Sequence, residues 1–500
     1  MYSLIFSLIY KRCFVNVLLI NTFSMGLNNL KEYDIIAFGT GSAMNIVSEV
    51  FSLNPDYKVA VIENEMVGGI CLTRGCIPSK MLLYPAEVIH ETKRLKSFGI
   101  EAEIKSINFD KVIGRVRESI THESKTIEQN LKEFPKIDLY QTTGEFVDDY
   151  TVKVGDETIK GNTILLCLGS RPFIPPIDGL QETGFITNKD ILYLKKQPKT
   201  LAIIGGSYIA SEFGFFFNMM GTKVTIIEML PRLVYTEEPE ISEVLQADFE
   251  RQGINILTNH KAVEVEKRNG KKIVITENTE TGETVEVEAD EVLVAAGRAS
   301  NADITKVENT GVKTDKNGWI IVNDYLETTK ENIWACGDAL GRYMFKHVAN
   351  YESQIVFYNA FLGKKIKPDY HAVPHAIFTY PEIASVGMKQ EEAMEKHDIL
   401  VGYYPYEQTA KGEAMNVKDY FVKVIVEKDT YRILGAHIIG PHASILIQEI
   451  INLMYTRDQS AIPIFQGMHI HPALSEVVER AFFSLREPEE WIHEHHHEED

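Results

Sequence analysis

Residues 33–51 read YDIIAFGTGSAMNIVSEVF, and this stretch decides the fold. The apolar run from Tyr33 to Phe38 suits a strand buried on both faces, Gly39-Thr40-Gly41 forms a tight turn, and the residues beyond follow a helical pattern. Together they open a βαβ unit of the kind that holds a dinucleotide. Glycine is needed at Gly39 and Gly41 because the backbone must turn sharply and approach a pyrophosphate. The charge of that group is met by free N–H groups at the helix N-terminus. The next strand, KVAVIE, ends in Glu63, at the separation where this fold sets a carboxylate on a ribose hydroxyl. Met44 occupies the third glycine position, which loosens helix–strand packing rather than the phosphate contact.

The pattern recurs at residues 200–228, TLAIIGGSYIASEFGFFFNMMGTKVTIIE, with Gly205 and Gly206 at the turn, Ala210 at the third position and Glu228 ending the next strand. One glycine turn is weak evidence, but two copies, each followed by a strand-terminal carboxylate, are hard to obtain by chance. Ser207 replaces the second glycine and crowds the pyrophosphate. Glu228 accepts hydrogen bonds from a free ribose 2′-hydroxyl and repels a 2′-phosphate, which favours NAD over NADP. Lys223 and Arg232 lie nearby in sequence and would blunt that choice.

A chain of 500 residues exceeds a single core and predicts about three domains. With 44 % hydrophobic and 24 % charged residues it is an ordinary globular sequence, neither disordered nor fibrous. A net charge of −20 repels phosphate backbones, so nucleic acid is excluded as a partner. Five cysteines are too few for a disulfide scaffold of this size, and two lie close together, which points to a reducing, cytoplasmic setting with one specialised pair. The first 24 residues are apolar but broken by Lys11, Arg12, Asn16 and Asn21 into stretches too short to span a bilayer. They lack the order of a signal peptide. The segment reads as a dispensable extension, with Met25 an alternative start and a membrane-associated segment the competing reading.

After the first unit comes GGICLTRGCIPSKMLLYPAEVIHETKRL, residues 68–95, in which Cys71 and Cys76 precede a long helical pattern. Their spacing lets two sulfurs meet at a helix start if the first turn is distorted, and Gly75 permits distortion. A cysteine at a helix N-terminus has its thiolate stabilised by the helix dipole, which makes it a nucleophile and a leaving group in thiol–disulfide exchange. The alternatives are a structural disulfide, which a reducing compartment opposes, and half of a zinc site, for which a second cysteine pair is missing.

The run Gly68 to Lys80 matches the pattern Gly-Gly-x-Cys-x4-Cys-x-Pro-Ser-Lys. On it the chain resembles the class I pyridine nucleotide-disulfide oxidoreductases, from about Tyr33 to Arg486. The resemblance implies that Cys76 lies against an FAD flavin as a charge-transfer thiolate and that Cys71 exchanges with substrate. It also implies that Lys80 sits beside the flavin paired with Glu212, and that Tyr208 gates the nicotinamide pocket. ILLCLGSRP around Gly169 and EVLVAAGRASNAD around Gly297 resemble the crossings between FAD and NAD domains. NIWACGDA sets Asp338 where the family holds the ribityl chain, although alone Asp338 also suits a helix cap. Ile70 and Arg74 depart from the usual Thr and Val beside the sulfurs, which bears on substrate preference.

Near the C-terminus, MHIHPALSEVVERAFFSL predicts a helix starting at His471-Pro472 with Glu476 returning toward the imidazole. A carboxylate-oriented histidine titrates near neutrality and suits the general base that deprotonates a dithiol. His469 is the rival. The family's His-Pro…Glu motif implies the same role, with the histidine reaching the cysteine pair of the other subunit. The segment from about His371 alternates as an antiparallel sheet flanked by helices and resembles the family's interface domain. In the tail WIHEHHHEED, His493, His495, His496 and His497 read as a solvated end rather than metal ligands.

The predicted fold is α/β, with two Rossmann-like dinucleotide-binding domains, for FAD and NAD, and a C-terminal α+β dimerisation domain. The expected boundaries are an extension at 1–30, the FAD domain at 31–170 and 300–370, the NAD domain at 171–299, the interface domain at 371–487, and a tail at 488–500. The expected function is oxidation of dihydrolipoamide to lipoamide with NAD as acceptor, in a homodimer with shared active sites and no membrane association. The expected partners are a small dithiol or disulfide, such as the lipoyl groups of a 2-oxoacid dehydrogenase or glycine cleavage system. GTGSAMNI, FKHVANYE, GAHIIG and HPALSEVVERAF look closer to mycothione reductase, so reduction of a low-molecular-weight disulfide is the alternative. Mercuric reductase is disfavoured because cysteines are missing near the C-terminus and no heavy-metal domain precedes Tyr33. A non-catalytic dimeric scaffold is the reading from another class, and the intact cysteine pair opposes it.

Overall fold

The computed structural model describes residues 30–495, so expectations for the first 24 residues and the last histidines of the tail lie outside the described residues. The quoted stretch forms β1 (Lys31–Phe38), a turn, and α1 (Ala43–Leu53), followed by β2 (Val59–Ile62). Ile35, Ile36 and Ala37 are fully buried, as expected of a strand covered on both faces. β1 runs parallel to β2, with Ile36 opposite Ala60 and Phe38 opposite Ile62. On its other side it runs parallel to the strand Glu157–Leu166.

Glu157–Leu166 is the pivot of a seven-stranded sheet. Its first half pairs antiparallel with Thr151–Val154, and its last three residues pair parallel with Ile333–Ala335. The first nucleotide unit is therefore assembled from two distant segments of chain. Between them the chain leaves along Ser170–Pro172 and returns along Arg298–Ser300, and these two short strands pair antiparallel with Ser170 opposite Ser300. Arg298 fastens the crossing by donating to the Ser170 hydroxyl at 3.0 Å and the Ser170 carbonyl at 2.8 Å.

The inserted segment repeats the parallel arrangement in four strands, with Thr200–Ile204 between Lys223–Ile227 and Glu291–Val294, and Asn255–Leu257 at the edge. A separate three-stranded antiparallel sheet, His260–Arg268, Lys271–Asn278 and Thr284–Ala289, packs beside it. The C-terminal part is a five-stranded antiparallel sheet on which the helices Ala443–Met454 and Ser475–Phe483 pack, sealing a core that includes Val424, Ile438, Ile450 and Val477. The fold class read from the sequence is the one observed.

Two local expectations are corrected. The helix near the C-terminus begins at Ser475, not at Pro472. The tail does not simply trail in solvent: residues Pro488–His495 form a helix, and the Trp491 indole donates to the Val401 carbonyl at 2.8 Å. Among the described residues no helix is long and apolar enough to cross a membrane. No cluster of His, Cys, Asp or Glu there is placed to hold a metal ion.

Candidate active site

One open cavity, of about 220 Å³, gathers Gly39, Gly41, Glu63, Cys71, Cys76, Gly169 and Asp338. Gly39 sits at φ +89°, and a Cβ there would come within 2.5 Å of the Cys167 carbonyl, so only glycine turns at this point. A Cβ at Gly69 would lie 2.6 Å from the Gly41 Cα, which means that the glycine turn and the start of the cysteine segment touch as bare backbone. Glu63 directly follows β2 and accepts from the Thr40 amide at 3.1 Å and the Thr40 hydroxyl at 2.7 Å, which fixes its carboxylate at the rim. Opposite, Asp338 follows the strand Ile333–Ala335 and accepts from the Ser170 hydroxyl at 2.6 Å. It caps no regular helix, so its carboxylate is a cavity group rather than a helix cap.

The sulfurs are arranged differently from one distorted helix turn. Cys71 lies in a short helix, α2 (Gly69–Thr73), and Cys76 is the first residue of α3 (Cys76–Arg94). The break falls at Arg74 and Gly75, where a Cβ on Gly75 would sit 2.8 Å from the Ile70 carbonyl and 3.2 Å from the Cys71 Cα. Gly75 thus lets α2 fold back onto the start of α3. Both thiols are free and hydrogen-bonded to each other. That bond is the main reason the Cys76 thiol is pulled down to about 7; burial works against it, and the Lys80 ammonium adds to it. The Cys71 thiol is pushed up by the same bond, then by burial. The pair is therefore polarised, with Cys76 as the thiolate. Of the two departures flanking the sulfurs, Ile70 presses on Gly169, where a Cβ would be 2.9 Å away, and Arg74 pairs with Glu65.

Lys80 projects one turn into α3 and meets Glu212 at 2.8 Å and 3.0 Å. Glu212 is buried on the helix Tyr208–Met219 and also accepts from the Phe378 amide at 3.0 Å, while the Lys80 ammonium lies 4.4 Å from the Phe378 ring. Tyr208, at the start of the same helix, stacks on His375 and donates to Glu237 at 2.9 Å.

In the second nucleotide unit Gly205 has φ +109°, and a Cβ there would lie 2.5 Å from the Ala295 carbonyl. The buried Glu228 carboxylate accepts from the Gly206 amide at 2.5 Å and the Leu230 amide at 2.8 Å. These bonds hold an acceptor at the strand end. Lys223 does not blunt it: it begins the strand Lys223–Ile227 while Glu228 follows the strand, roughly 16 Å away at about 3.3 Å per residue. Arg232 is turned onto the Tyr235 ring, 5.0 Å from its centroid. Gly297 sits at φ +114° at the return crossing, where its carbonyl accepts from the Phe173 amide at 3.0 Å.

His471 and Glu476 are brought together, Nδ1 to Oε1 at 2.9 Å, and the second carboxylate oxygen accepts from the Ala473 amide at 3.1 Å. That imidazole contact, more than any other cause, holds the Glu476 carboxyl below its usual range. The His471 side chain is 71 % exposed, whereas His469 is 9 % exposed and enclosed by Glu449 and Glu479 at 3.0 Å and 3.4 Å. Of the two, His471 is the one whose ring is open to a group beyond its own chain. Beside it Met468 and Ile470 are 100 % and 77 % exposed, an apolar projection suited to burial against a second copy.

Sequence reading missed several groups at the cavity. Lys346 donates to the Ser42 hydroxyl at 2.8 Å and Asn350 accepts from Asn45 at 3.1 Å, binding the glycine turn to the helix Lys346–Leu362. Lys346 lies in a phrase quoted above, but nothing local marks it as facing a turn 304 residues away. Glu237, His375 and Ser385, which form the network under Tyr208, gave no sequence signal.

The first cavity fits FAD: it joins bare glycine backbone, a fixed rim carboxylate and Asp338 around the two sulfurs. Gly205, Gly206 and Glu228 fit a nicotinamide dinucleotide in the same manner. Residues 33–353 match the family model described as pyridine nucleotide-disulphide oxidoreductase, and residues 373–482 match its dimerisation domain. Over 466 residues the chain is 34 % identical to dihydrolipoyl dehydrogenase of Chlamydia pneumoniae, covering 92 % of this chain and 98 % of that one. It is 33 % identical over 474 residues to mycothione reductase of Mycobacterium tuberculosis, covering 91 % and 100 %. The HOCl-induced flavoprotein disulfide reductase RclA from Escherichia coli superimposes with a TM-score of 0.79 at 27 % identity, covering 90 % of this chain and 99 % of that one. With its FAD and NAD(P)H sites and its dimerisation domain, the chain belongs to the pyridine nucleotide-disulfide oxidoreductases, enzymes that act on sulfur groups.

Proposed function

We propose that the enzyme oxidises dihydrolipoamide to lipoamide and delivers the electrons to NAD. The observation that carries this reading is Glu228, whose buried carboxylate is held by the Gly206 and Leu230 amides at the end of its strand. An acceptor fixed there takes a hydrogen bond from a free ribose 2′-hydroxyl and repels a 2′-phosphate. Reductases of small disulfides are expected to draw on NADPH, which that carboxylate opposes.

In the oxidised dithiol, His471 of the partner subunit removes a proton from a substrate thiol while Glu476 holds the imidazole and balances its cationic form. The substrate thiolate attacks the Cys71 sulfur, the sulfur–sulfur bond breaks, and Cys76 leaves as a thiolate. Cys76 is the better leaving group because its thiol is held at about 7. The second substrate thiol then attacks the mixed disulfide, releasing lipoamide and the Cys71 thiol. Gly39, Gly41, Glu63 and Asp338 would hold FAD, which would supply the two-electron redox chemistry linking the dithiol to the nicotinamide. Lys80, fixed by Glu212, supplies the positive charge beside Cys76. Tyr208, at the start of the helix that follows the second glycine turn, would cover the nicotinamide side. The exposed Met468–His471 segment supports a homodimer in which each dithiol is served by the other subunit's histidine.

Steady-state assays with the purified enzyme test the reading. NAD with dihydrolipoamide should give a kcat/KM at least tenfold above NADPH with small disulfides, including mycothione. Faster turnover in the NADPH arm would replace this assignment by the disulfide reductase.

A further inference from the structure

Four of the five cysteines line the FAD cavity, and the dithiol chemistry uses only two. The others, Cys167 and Cys336, form its floor. They follow the strands Glu157–Leu166 and Ile333–Ala335, which run parallel with Leu166 opposite Ala335, so the next residue of each strand emerges at the same level. Their sulfurs lie 3.3 Å apart. Cys336 is buried, and its thiol is pushed up by its hydrogen bond to Cys167 first and by burial second. Cys167 is the more exposed of the two.

The position couples the pair to the cofactor site. The Cys167 carbonyl is the atom that a Cβ on Gly39 would strike, and Cys336 directly precedes Gly337 and the cavity carboxylate Asp338. The two strands belong to the segments before and after the inserted nucleotide unit, 169 residues apart, and their pairing completes the FAD-binding sheet. A covalent link here would close a long loop at the seam on which the cofactor rests. The sulfurs need to approach by little more than 1 Å to reach the about 2.05 Å of a disulfide, a change within the range of side-chain rotation.

We propose that Cys167 and Cys336 are a second redox couple, oxidised by a hydroperoxide to a disulfide that staples the two segments of the FAD-binding unit and slows loss of FAD. The Cys167 sulfur attacks the peroxide O–O bond, becoming a sulfenic acid and releasing an alcohol or water. The Cys336 thiol attacks that sulfur, a sulfur–sulfur bond forms, and water leaves. Two thiols and one hydroperoxide thus give one disulfide, one alcohol and one water, with two electrons passing from sulfur to oxygen.

Holoenzyme of the full chain is treated with stoichiometric hydrogen peroxide, its remaining thiols are alkylated, and the digest is analysed by mass spectrometry. FAD release is followed by fluorescence in moderate urea before and after treatment. The expected result is a peptide linking Cys167 to Cys336 that dithiothreitol cleaves, with FAD release at least fivefold slower in the linked protein. Cys336→Val should retain packing volume and lose both effects, and the oxidised-against-reduced comparison of the unchanged protein stands if that variant fails to fold. Recovery of both cysteines as alkylated thiols after Cys71 and Cys76 have been oxidised would overturn the proposal. So would linkage of Cys336 to Cys71 or Cys76, or a linked protein whose FAD release is unchanged.

Discussion

Lys80 Nζ lies 2.8 Å from Glu212 Oε1, a bond that joins the helix Cys76 begins to the first helix of the second nucleotide unit. It fixes one positive charge beside Cys76 and links the two cofactor-binding units, which the Lys189–Glu65 ion pair also joins.

The charge should be visible in thiol reactivity. The alkylation rate of the reduced enzyme is expected to rise with a midpoint at about pH 7, because the Cys76 thiolate forms there and not near its ordinary value of 9.0. Lys80→Met removes a neighbouring cation and should move that midpoint upward by about half to one unit, the ammonium being partly solvent-screened. An unchanged midpoint would mean that Lys80 does not tune the sulfur.

His471→Gln should lower kcat for dithiol oxidation by about 10²–10⁴-fold and leave NADH-driven reduction of artificial electron acceptors intact, since only the substrate half-reaction needs the base. Because its side chain is 71 % exposed, thermal stability should hold. His469→Ala should do the reverse, with a lower melting temperature and near-normal turnover, because that ring fills a site between Glu449 and Glu479. Equal losses of activity in the two variants would contradict the assignment.

Gly75→Ala would drive a methyl group into the Ile70 carbonyl and toward the Cys71 Cα. Destabilisation of about 1–3 kcal/mol is expected, measured by denaturant unfolding. The re-formed Cys71–Cys76 disulfide should become harder to close, seen as a higher reduction potential in a dithiol redox titration.

Glu228→Ala should lower the preference for NAD over NADP by about 10–100-fold in kcat/KM, the worth of a hydrogen bond to a charged group. A ratio that does not move would separate Glu228 from coenzyme choice.

Both nucleotide units were legible because their signals are local: a glycine turn and a carboxylate some twenty residues on, each read from one continuous stretch. Gly39, Glu63, Gly205 and Glu228 all stand where that reading expects them in the fold. The pairing of Lys80 with Glu212, 132 residues apart, came only from family resemblance, since no local pattern reports it. Spacing alone also misjudged shape. Cys71 and Cys76 were read as one strained helix turn, but Gly75 resolves the conflict by ending one helix and letting another begin. Pro472 suggested a helix start that Ser475 provides instead. Lys223 looked close to Glu228 by number yet lies at the other end of a strand, where five residues span a long distance. Cys167 and Cys336 escaped notice because strand pairing, not sequence, makes them neighbours.

The most direct measurement is anaerobic two-electron reduction of the purified flavoprotein, followed by absorbance across a pH series. A Cys76 thiolate against the flavin predicts a long-wavelength band that fades as pH falls through about 7 and that Cys76→Ser abolishes. Reduction that bleaches the flavin with no such band at any pH would contradict the account.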